Sequence, residues 1–169
     1  MTRFTTSGKF DSPRDAVFDC WVKPDIFEKW YPPADCESHL IHADVRQGGY
    51  YLQEDRWPDG AHCYLRHAFE SINPCETLAF VTSFCTEDGE TANHPFAPFW
   101  PKRMLTTLSF EDEDAGTNLS VLWEPVEASE EETAFFTEIL PSCHQGWTGT
   151  FGRLEQALRE VGATVLTAE

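Results

Sequence analysis

The feature that most constrains the fold is the C-terminal segment from Ser129 to Gly162, which has the pattern of one long amphipathic helix. Ser129 and Glu132 have the spacing of a capping box, in which each side chain satisfies a backbone N–H of the other residue. Apolar residues then recur every three or four positions, at Phe136, Leu140, Cys143, Trp147, Phe151, Leu154, Leu158 and Val161. Such a stripe occupies one face of a helix and needs a second layer of structure to cover it.

Four residues inside this segment affect the helix prediction. Pro141 lacks a backbone N–H and predicts a kink or a break. Gly146, Gly149 and Gly152 each cost roughly 1 kcal/mol of helix propensity relative to Ala. Their presence indicates either close packing against the neighbouring layer or room for a ligand. Gly162 predicts the end of the helix.

The covering layer is predicted upstream, where strand-forming segments alternate with turn residues. Short turns between consecutive strands predict antiparallel pairing. Two short helices are expected after the first strand, one capped by Ser12 and closed by Pro24, and the other at residues 25–30. The chain is therefore predicted to form a single α+β domain over residues 1–169. Its strands are expected at residues 2–10, 37–46, 50–57, 62–72, 77–86, 104–110 and 117–125.

The formal net charge of −17 limits the classes of partner. A field of that sign repels phosphate backbones and anionic lipid headgroups, so neither nucleic acid nor a membrane is expected as a partner. Acidic residues concentrate at 111–114 and 127–132, where they aid solubility or dock a basic protein. The N-terminus lacks the pattern of an export signal, and no segment has the roughly 20 apolar residues of a membrane span. A cytoplasmic location is expected.

The six cysteines are interpreted as reduced, small apolar residues, because no export signal accompanies them. Cys36, His39 and His42 have a spacing that resembles a metal site. Their segment is predicted to be a strand, on which residues three apart face opposite sides, so the three side chains are not expected to converge. No metal or other cofactor is expected.

One predicted connection, residues 87–102, is much longer than the others and contains Pro95, Pro98 and Pro101. It also carries the aromatic residues Phe96, Phe99 and Trp100. A loop of this length and composition either packs onto the core or covers a pocket.

Short motifs follow one another in a fixed order along nearly the whole chain. They are Asp11-Ser12-Pro13 with Val17-Phe18, Trp30-Tyr31-Pro32-Pro33, Gly48-Gly49, Pro58-Asp59-Gly60, Ile72 to Leu78, Gly116-Thr117, and Gly146-Trp147 with Leu154 and Leu158. In this order and spacing they resemble the START-like (SRPBCC) superfamily. The branch that the chain resembles is the family named after the C-terminal domain of the activator of heat shock protein 90 ATPase.

The resemblance implies a helix-grip fold, in which a curved antiparallel sheet wraps around the long C-terminal helix. It also implies a cavity between the two for an apolar or amphipathic small molecule. It implies no particular reaction, since proteins of this fold bind, cyclise, hydrolyse or scaffold. The family name also implies a role in the stress response and a chaperone as a partner. Whether the protein forms a homodimer is left open. Family members usually carry Gly where this chain has His67 and an acidic residue where it has Ser71, so no known ligand is transferred.

The hairpin turn at residues 58–60 predicts which side chains face that cavity. If Trp57 lies opposite His62, one face carries Leu52, Glu54, Arg56, Cys63, Leu65, His67 and Phe69. This face is the more aliphatic one and is interpreted as concave. A one-residue bulge in the turn would change which residues join it. If Glu54 and His67 share the concave face, they are either an acid–base pair or a hydrogen-bonded pair without a catalytic role.

Further residues are expected to line the cavity or to form the core behind it, namely Trp30, Phe80, Met104, Cys143 and Trp147. The sequence contains no Gly-x-Ser-x-Gly nucleophile motif and no phosphate-binding loop. Binding of a small apolar or amphipathic molecule is therefore the favoured hypothesis. The alternatives are an enzyme of the cyclase, dehydratase or hydrolase type that uses the same cavity, and a chaperone-interacting module.

Overall fold

The computed structural model describes residues 2–168, and the side chains of residues 2–162. The elements, in chain order, are β1 (Phe4–Phe10), α1 (Arg14–Val22), α2 (Pro24–Trp30), β2 (Glu37–Ala43), β3 (Tyr50–Arg56), β4 (His62–Asn73), β5 (Thr77–Cys85), β6 (Met104–Glu113), β7 (Gly116–Pro125) and α3 (Glu130–Ala168). The strands form one antiparallel sheet in the order β1-β7-β6-β5-β4-β3-β2. This is the α+β helix-grip arrangement predicted from the sequence. Within the described residues, no helix combines the length and apolarity of a membrane span.

The start of the helical region differs in detail from the prediction. Pro13, rather than Ser12, is the N-cap residue of α1. The backbone carbonyl of Ser12 instead accepts a hydrogen bond from the Thr117 hydroxyl at 2.7 Å, which ties this turn to β7. Pro24 follows Lys23, the extended C-cap residue of α1, as predicted, and it also begins α2. Proline suits that position because the first N–H of a helix has no partner within the helix.

Helix α3 begins with the predicted capping box. The Ser129 N–H donates to Glu132 Oε2 at 2.8 Å, and the Glu132 N–H donates to Ser129 Oγ at 3.1 Å. The helix then continues through Pro141 without a break and extends past Gly162, so the prediction that Gly162 ends it was wrong. A glycine only weakens helix propensity, and no proline follows Gly162 to stop the chain.

The predicted apolar stripe of α3 packs on the sheet. Phe136 and Leu154 are fully buried, and Trp147 meets Trp123 of β7 with ring centroids 6.0 Å apart. The glycines of α3 do not serve close packing. A Cβ atom added at Gly146 or Gly152 would meet no heavy atom within 4 Å, and at Gly149 the one neighbour within that distance is Arg153 Nη1, at 3.6 Å.

The two short helices cover the other end of the sheet. Trp21 and Phe27 are buried against the sheet, where their rings contact Phe80 of β5 and Tyr51 of β3. The Tyr51 hydroxyl donates to the Trp21 carbonyl at 3.0 Å, and Trp30 Nε1 donates to the Cys20 carbonyl at 2.7 Å. The inner face of β3 is therefore the face that carries Tyr51.

The register of the β3–β4 hairpin overturns one prediction. The Trp57 N–H bonds to the Ala61 carbonyl at 2.9 Å, so Trp57 lies opposite Ala61 and Arg56 lies opposite His62. The turn has this length because Gly60 adopts a φ of +89° and Asp59 accepts a hydrogen bond from the Ala61 N–H. Leu52, Glu54 and Arg56 consequently lie on the outer face. The inner face holds Tyr51, Gln53 and Asp55 beside Cys63, Leu65, His67 and Phe69.

Candidate functional site

A cleft of about 360 Å³ opens between the inner face of the sheet and α3. Its floor is formed by β3, β4 and β5, and one wall by the segment that follows α2. Thr150 and Arg153 of α3 form a second wall, and the long β5–β6 loop forms the third. Most of the lining is apolar. The residues around the cleft are Tyr31, Pro32, Pro33, Gln53, Asp55, Trp57, Cys63, Leu65, Phe84, His94, Pro95, Phe96, Thr150 and Arg153.

A series of hydrogen bonds between side chains on the inner face of the sheet leads from Thr82 to Gln53 and Asp55, which border the cleft. Thr82 Oγ1 lies 2.8 Å from His67 Nδ1, and His67 Nε2 lies 3.0 Å from Gln53 Oε1. Gln53 Nε2 donates to Asp55 Oδ1 at 2.8 Å. Gln53, Asp55 and His67 are 2%, 3% and 1% exposed. Polar groups that are buried this deeply are stable only when they are hydrogen-bonded, and the bonds among these four side chains meet that need.

Asp55, at one end of this series of hydrogen bonds, determines which group donates and which accepts in every bond. A carboxylate only accepts hydrogen bonds, so the Gln53 amide nitrogen donates to Asp55 and its oxygen accepts from His67. His67 therefore carries its proton on Nε2, and Nδ1 accepts from the Thr82 hydroxyl. All of the donated hydrogens point towards Asp55.

His67 is held in the neutral form by its surroundings. The rings of Phe27, Tyr31 and Phe80 enclose its imidazole at centroid distances of 5.3 to 5.9 Å. Burial among these rings lowers the pKa of His67 to about 3, because water no longer stabilises the imidazolium ion. The ring is thus a fixed hydrogen-bonding element and does not titrate near neutral pH.

Tyr31 and Arg153 form the side of the cleft beneath α3. Arg153 Nε and Nη2 donate to the carbonyls of Trp30 and Tyr31, both at 3.2 Å, where α2 ends. Positive charge at the C-terminal end of a helix is favourable, and the bonds hold α3 against α2. Burial, opposed in part by the nearby Arg153 charge, raises the pKa of Tyr31 to about 12, so its hydroxyl keeps its proton.

The β5–β6 loop both packs on the core and borders the cleft. His94 Nδ1 accepts hydrogen bonds from the N–H groups of Phe96 and Ala97, each at 3.0 Å, and its ring lies 4.4 Å from the Phe84 ring. Burial lowers the pKa of His94, which keeps Nδ1 free to accept these bonds. Phe96 and Phe99 in the same loop remain 72% and 53% exposed.

Few of the residues expected to bind a ligand border this cleft. Leu65 lines it, whereas Trp30 borders a neighbouring groove of about 700 Å³ between α2 and α3. Glu54 and Arg56 border a groove of about 750 Å³ on the outer face. Leu52 lies on that outer face as well. The remaining six are buried in the protein, namely His67, Phe69, Phe80, Met104, Cys143 and Trp147.

The expected pairing of Glu54 with His67 was wrong, because the two side chains lie on opposite faces of the sheet. Glu54 instead forms an ion pair with Arg56, and its Oε2 lies 3.3 Å from Nε2 of His39. Within the described residues, no three His, Cys, Asp or Glu side chains are grouped so that they could hold a metal ion. Cys63 borders the cleft, but burial raises its pKa to about 12, so the thiol is a poor nucleophile.

Sequence reasoning missed the polar residues that converge here, namely Tyr31, Gln53, Asp55, His94 and Arg153. The chosen face was correct for β4 but wrong for β3, because the register of the hairpin places Gln53 and Asp55 beside Leu65 and Cys63. One signal was available in the sequence. Tyr51, Gln53 and Asp55 occupy alternate positions of an interior strand and therefore share one face. Polar side chains on a buried face need hydrogen-bond partners inside the protein.

Three solved structures are similar to the chain over most of their length. A protein from Arthrobacter aurescens is 20% identical with a TM-score of 0.75, covering 94% of this chain and 86% of that chain. A protein from Staphylococcus epidermidis is 22% identical with a TM-score of 0.72, covering 94% and 90%. A Staphylococcus aureus protein of unknown function is 14% identical with a TM-score of 0.72, covering 96% of both chains. At such identities the similarity shows the fold alone.

No curated protein matches the chain. Residues 11–159 do match a family of proteins described as activator of Hsp90 ATPase homolog 1-like. The matched span runs from α1 into α3 and includes every residue that borders the cleft. The fold and this match lead to one conclusion: the chain belongs to the activator of Hsp90 ATPase homolog 1-like family.

Proposed function

We propose that the protein binds a small amphipathic molecule in the cleft between the sheet and α3. The observation that carries the proposal is that apolar side chains and an ordered polar group border the same cleft. Leu65, Phe84 and Phe96 offer an apolar surface, and the bonded chain that ends at Asp55 offers a fixed polar group. Ligand sites typically combine these two features in a volume of roughly 300 to 1,000 Å³.

Catalysis is a weaker proposal for the same cleft. A general acid–base mechanism needs a group that changes protonation near neutral pH within reach of the ligand. His67 is neutral and enclosed by aromatic rings, and the Cys63 thiol stays protonated. The polar groups of the cleft are better suited to orienting a ligand than to exchanging protons with it.

Replacing Leu65 with Trp is expected to fill the cleft and block binding. We expect the neutral dye Nile red to gain fluorescence with the wild-type protein, and its affinity to fall at least about tenfold in Leu65→Trp. Tyr64→Trp is the matched control, because Tyr64 is the adjacent residue on β4 and faces the opposite side. Equal dye affinity in Leu65→Trp and the wild type would contradict the proposal.

The family name points to a second candidate function, docking to the chaperone Hsp90. The specific observation in its favour is that Phe96 and Phe99 are large, exposed aromatic residues in one loop. If they form a docking surface, Phe99→Ala should reduce co-purification of Hsp90 by several-fold and leave dye binding unchanged. Co-purification that does not differ between Phe99→Ala and the wild type would remove this candidate.

A further inference from the structure

Asp55 is a buried carboxylate for which the described side chains provide no counter-ion. It is 3% exposed, and Gln53 Nε2 donates the one conventional hydrogen bond that it accepts from these side chains. The thiol of the neighbouring Cys36 donates to the Glu37 carbonyl at 3.7 Å. A carboxylate has about four acceptor sites, so most of its capacity is unused. Within the part of the chain that the structure describes, no Lys, Arg or His nitrogen forms an ion pair with it.

The arginine that borders the cleft is already committed elsewhere. Arg153 borders the same cleft, but its Nε and Nη2 donate to the carbonyls at the end of α2 and to Thr150 Oγ1. Moving the guanidinium to Asp55 would break these bonds and leave buried carbonyls without partners. Arg153 is therefore a structural residue, and the charge of Asp55 remains available to the cleft.

The hydrogen bonds that lead from Thr82 through His67 and Gln53 hold the Asp55 carboxylate in position for an incoming ligand. Thr82 donates to His67, His67 donates to Gln53, and Gln53 donates to Asp55, so the donor that holds Asp55 Oδ1 is itself held in place. Burying a charge without a partner is costly, and this cost is relieved when a cationic donor enters. The arrangement is pre-organised for a ligand that supplies both a positive charge and N–H groups.

The other side chains of the cleft suit the same head group. Tyr31, Trp57, Phe84 and Phe96 border the cleft, and aromatic faces attract cations. The Tyr31 hydroxyl retains its proton and has a free oxygen lone pair that can accept a second N–H. An anionic head group would instead lie beside the unpaired Asp55 charge, where repulsion opposes it.

We infer that the ligand is an amphipathic amine, whose ammonium group pairs with Asp55 while its apolar part packs against Leu65, Phe84 and Phe96. This inference rests on the proposed binding function and specifies its ligand class. The amine donates hydrogen bonds to Asp55, and no covalent bond is made or broken. A primary or secondary amine has both features that Asp55 needs in a partner, namely the positive charge and the N–H donors.

Three compounds that share an eight-carbon chain test the head group directly. We expect octylamine to bind the wild-type protein at least about tenfold more tightly than octanol, and octanoate to bind most weakly, as measured by calorimetry at pH 7.5. In Asp55→Asn the affinity for octylamine should fall about 10- to 100-fold, while the affinity for octanol stays within about threefold. Retained octanol binding also shows that the variant is folded.

Two control variants separate the site from the overall acidity of the protein. Asp59→Asn removes the same single charge from the exposed hairpin turn, and we expect it to bind octylamine as the wild type does. Leu65→Trp should abolish octylamine binding if the cleft, rather than the net charge of −17, attracts the amine.

The failures of the two proposals are distinguishable. If the wild-type protein binds octanoate as tightly as octylamine, or if Asp55→Asn keeps the preference for the amine, the inference about the amine is overturned and the binding function stands. If Leu65→Trp binds all three compounds as the wild type does, the cleft is not the site and both proposals fail. If Asp55→Asn does not fold, the affinities of the wild-type protein for octylamine, octanol and octanoate still test whether the cleft prefers an amine.

Discussion

Acidification from pH 7.5 to pH 5 is expected to lower the free energy of unfolding of the wild-type protein by about 2 kcal/mol through His67 alone. The pKa of His67 is about 3 in the folded protein and 6.5 in an unfolded chain. Between these values the unfolded chain binds a proton that the folded protein excludes. Stability is therefore fully present above pH 6.5 and falls by about 1.4 kcal/mol for each pH unit below it.

The variant His67→Gln isolates this effect from the titration of carboxylates. Glutamine can accept from Thr82 and donate to Gln53 but cannot be protonated, so its stability should fall less steeply between pH 7.5 and pH 5. Urea unfolding followed by tryptophan fluorescence gives the free energy at each pH. His62→Gln, at an exposed position of the same strand, is expected to follow the wild type. An identical pH slope in His67→Gln and the wild type would show that His67 is not excluded from water.

Truncating Phe136 is expected to destabilise the protein by about 3 to 5 kcal/mol. Phe136 is fully buried under α3 and meets Trp123 of β7 at a centroid distance of 5.8 Å. Removal of its ring leaves a cavity between the helix and the sheet that these neighbours cannot fill. Chemical denaturation of Phe136→Ala against the wild type measures the loss.

Phe135→Ala is the matched control for this prediction. Phe135 is half-buried and meets Trp100 of the β5–β6 loop at 6.4 Å, so both variants lose a phenyl ring from the same turn of α3. Loss of one aromatic contact at the surface should cost less than about 1.5 kcal/mol. If Phe135→Ala were as destabilising as Phe136→Ala, the packing of α3 through its predicted stripe would not be the main contribution.

Local signals were sufficient to predict most of the fold. The capping box of Ser129 and Glu132 and the stripe from Phe136 to Leu158 were confirmed, because caps and helical periodicity act within a few residues. The predicted strands were found within a few residues of their expected bounds. The end of α3 was misplaced at Gly162, since glycine is only a weak stop signal.

The candidate site was predicted far less well than the fold. Its position between the sheet and α3 followed from the family resemblance, and Leu65 was placed correctly on the inner face. Glu54 was assigned to the wrong face, because the turn after Trp57 is one residue shorter than expected, and a shift of one residue reverses the side of every residue in β3 relative to β4. The resulting site is acidic at Asp55 rather than at Glu54.

The amino-acid sequence by itself determined the order of the elements, the antiparallel pairing and the buried stripe of the last helix. Those features depend on turn residues, caps and periodicity, which are local properties of the chain. Only the tertiary structure decided that Tyr31, Asp55 and Arg153 border one cleft and that no cation among residues 2–162 forms an ion pair with Asp55. That arrangement depends on the register of a hairpin and on the packing of α3 against α2, which bring together residues far apart in the chain.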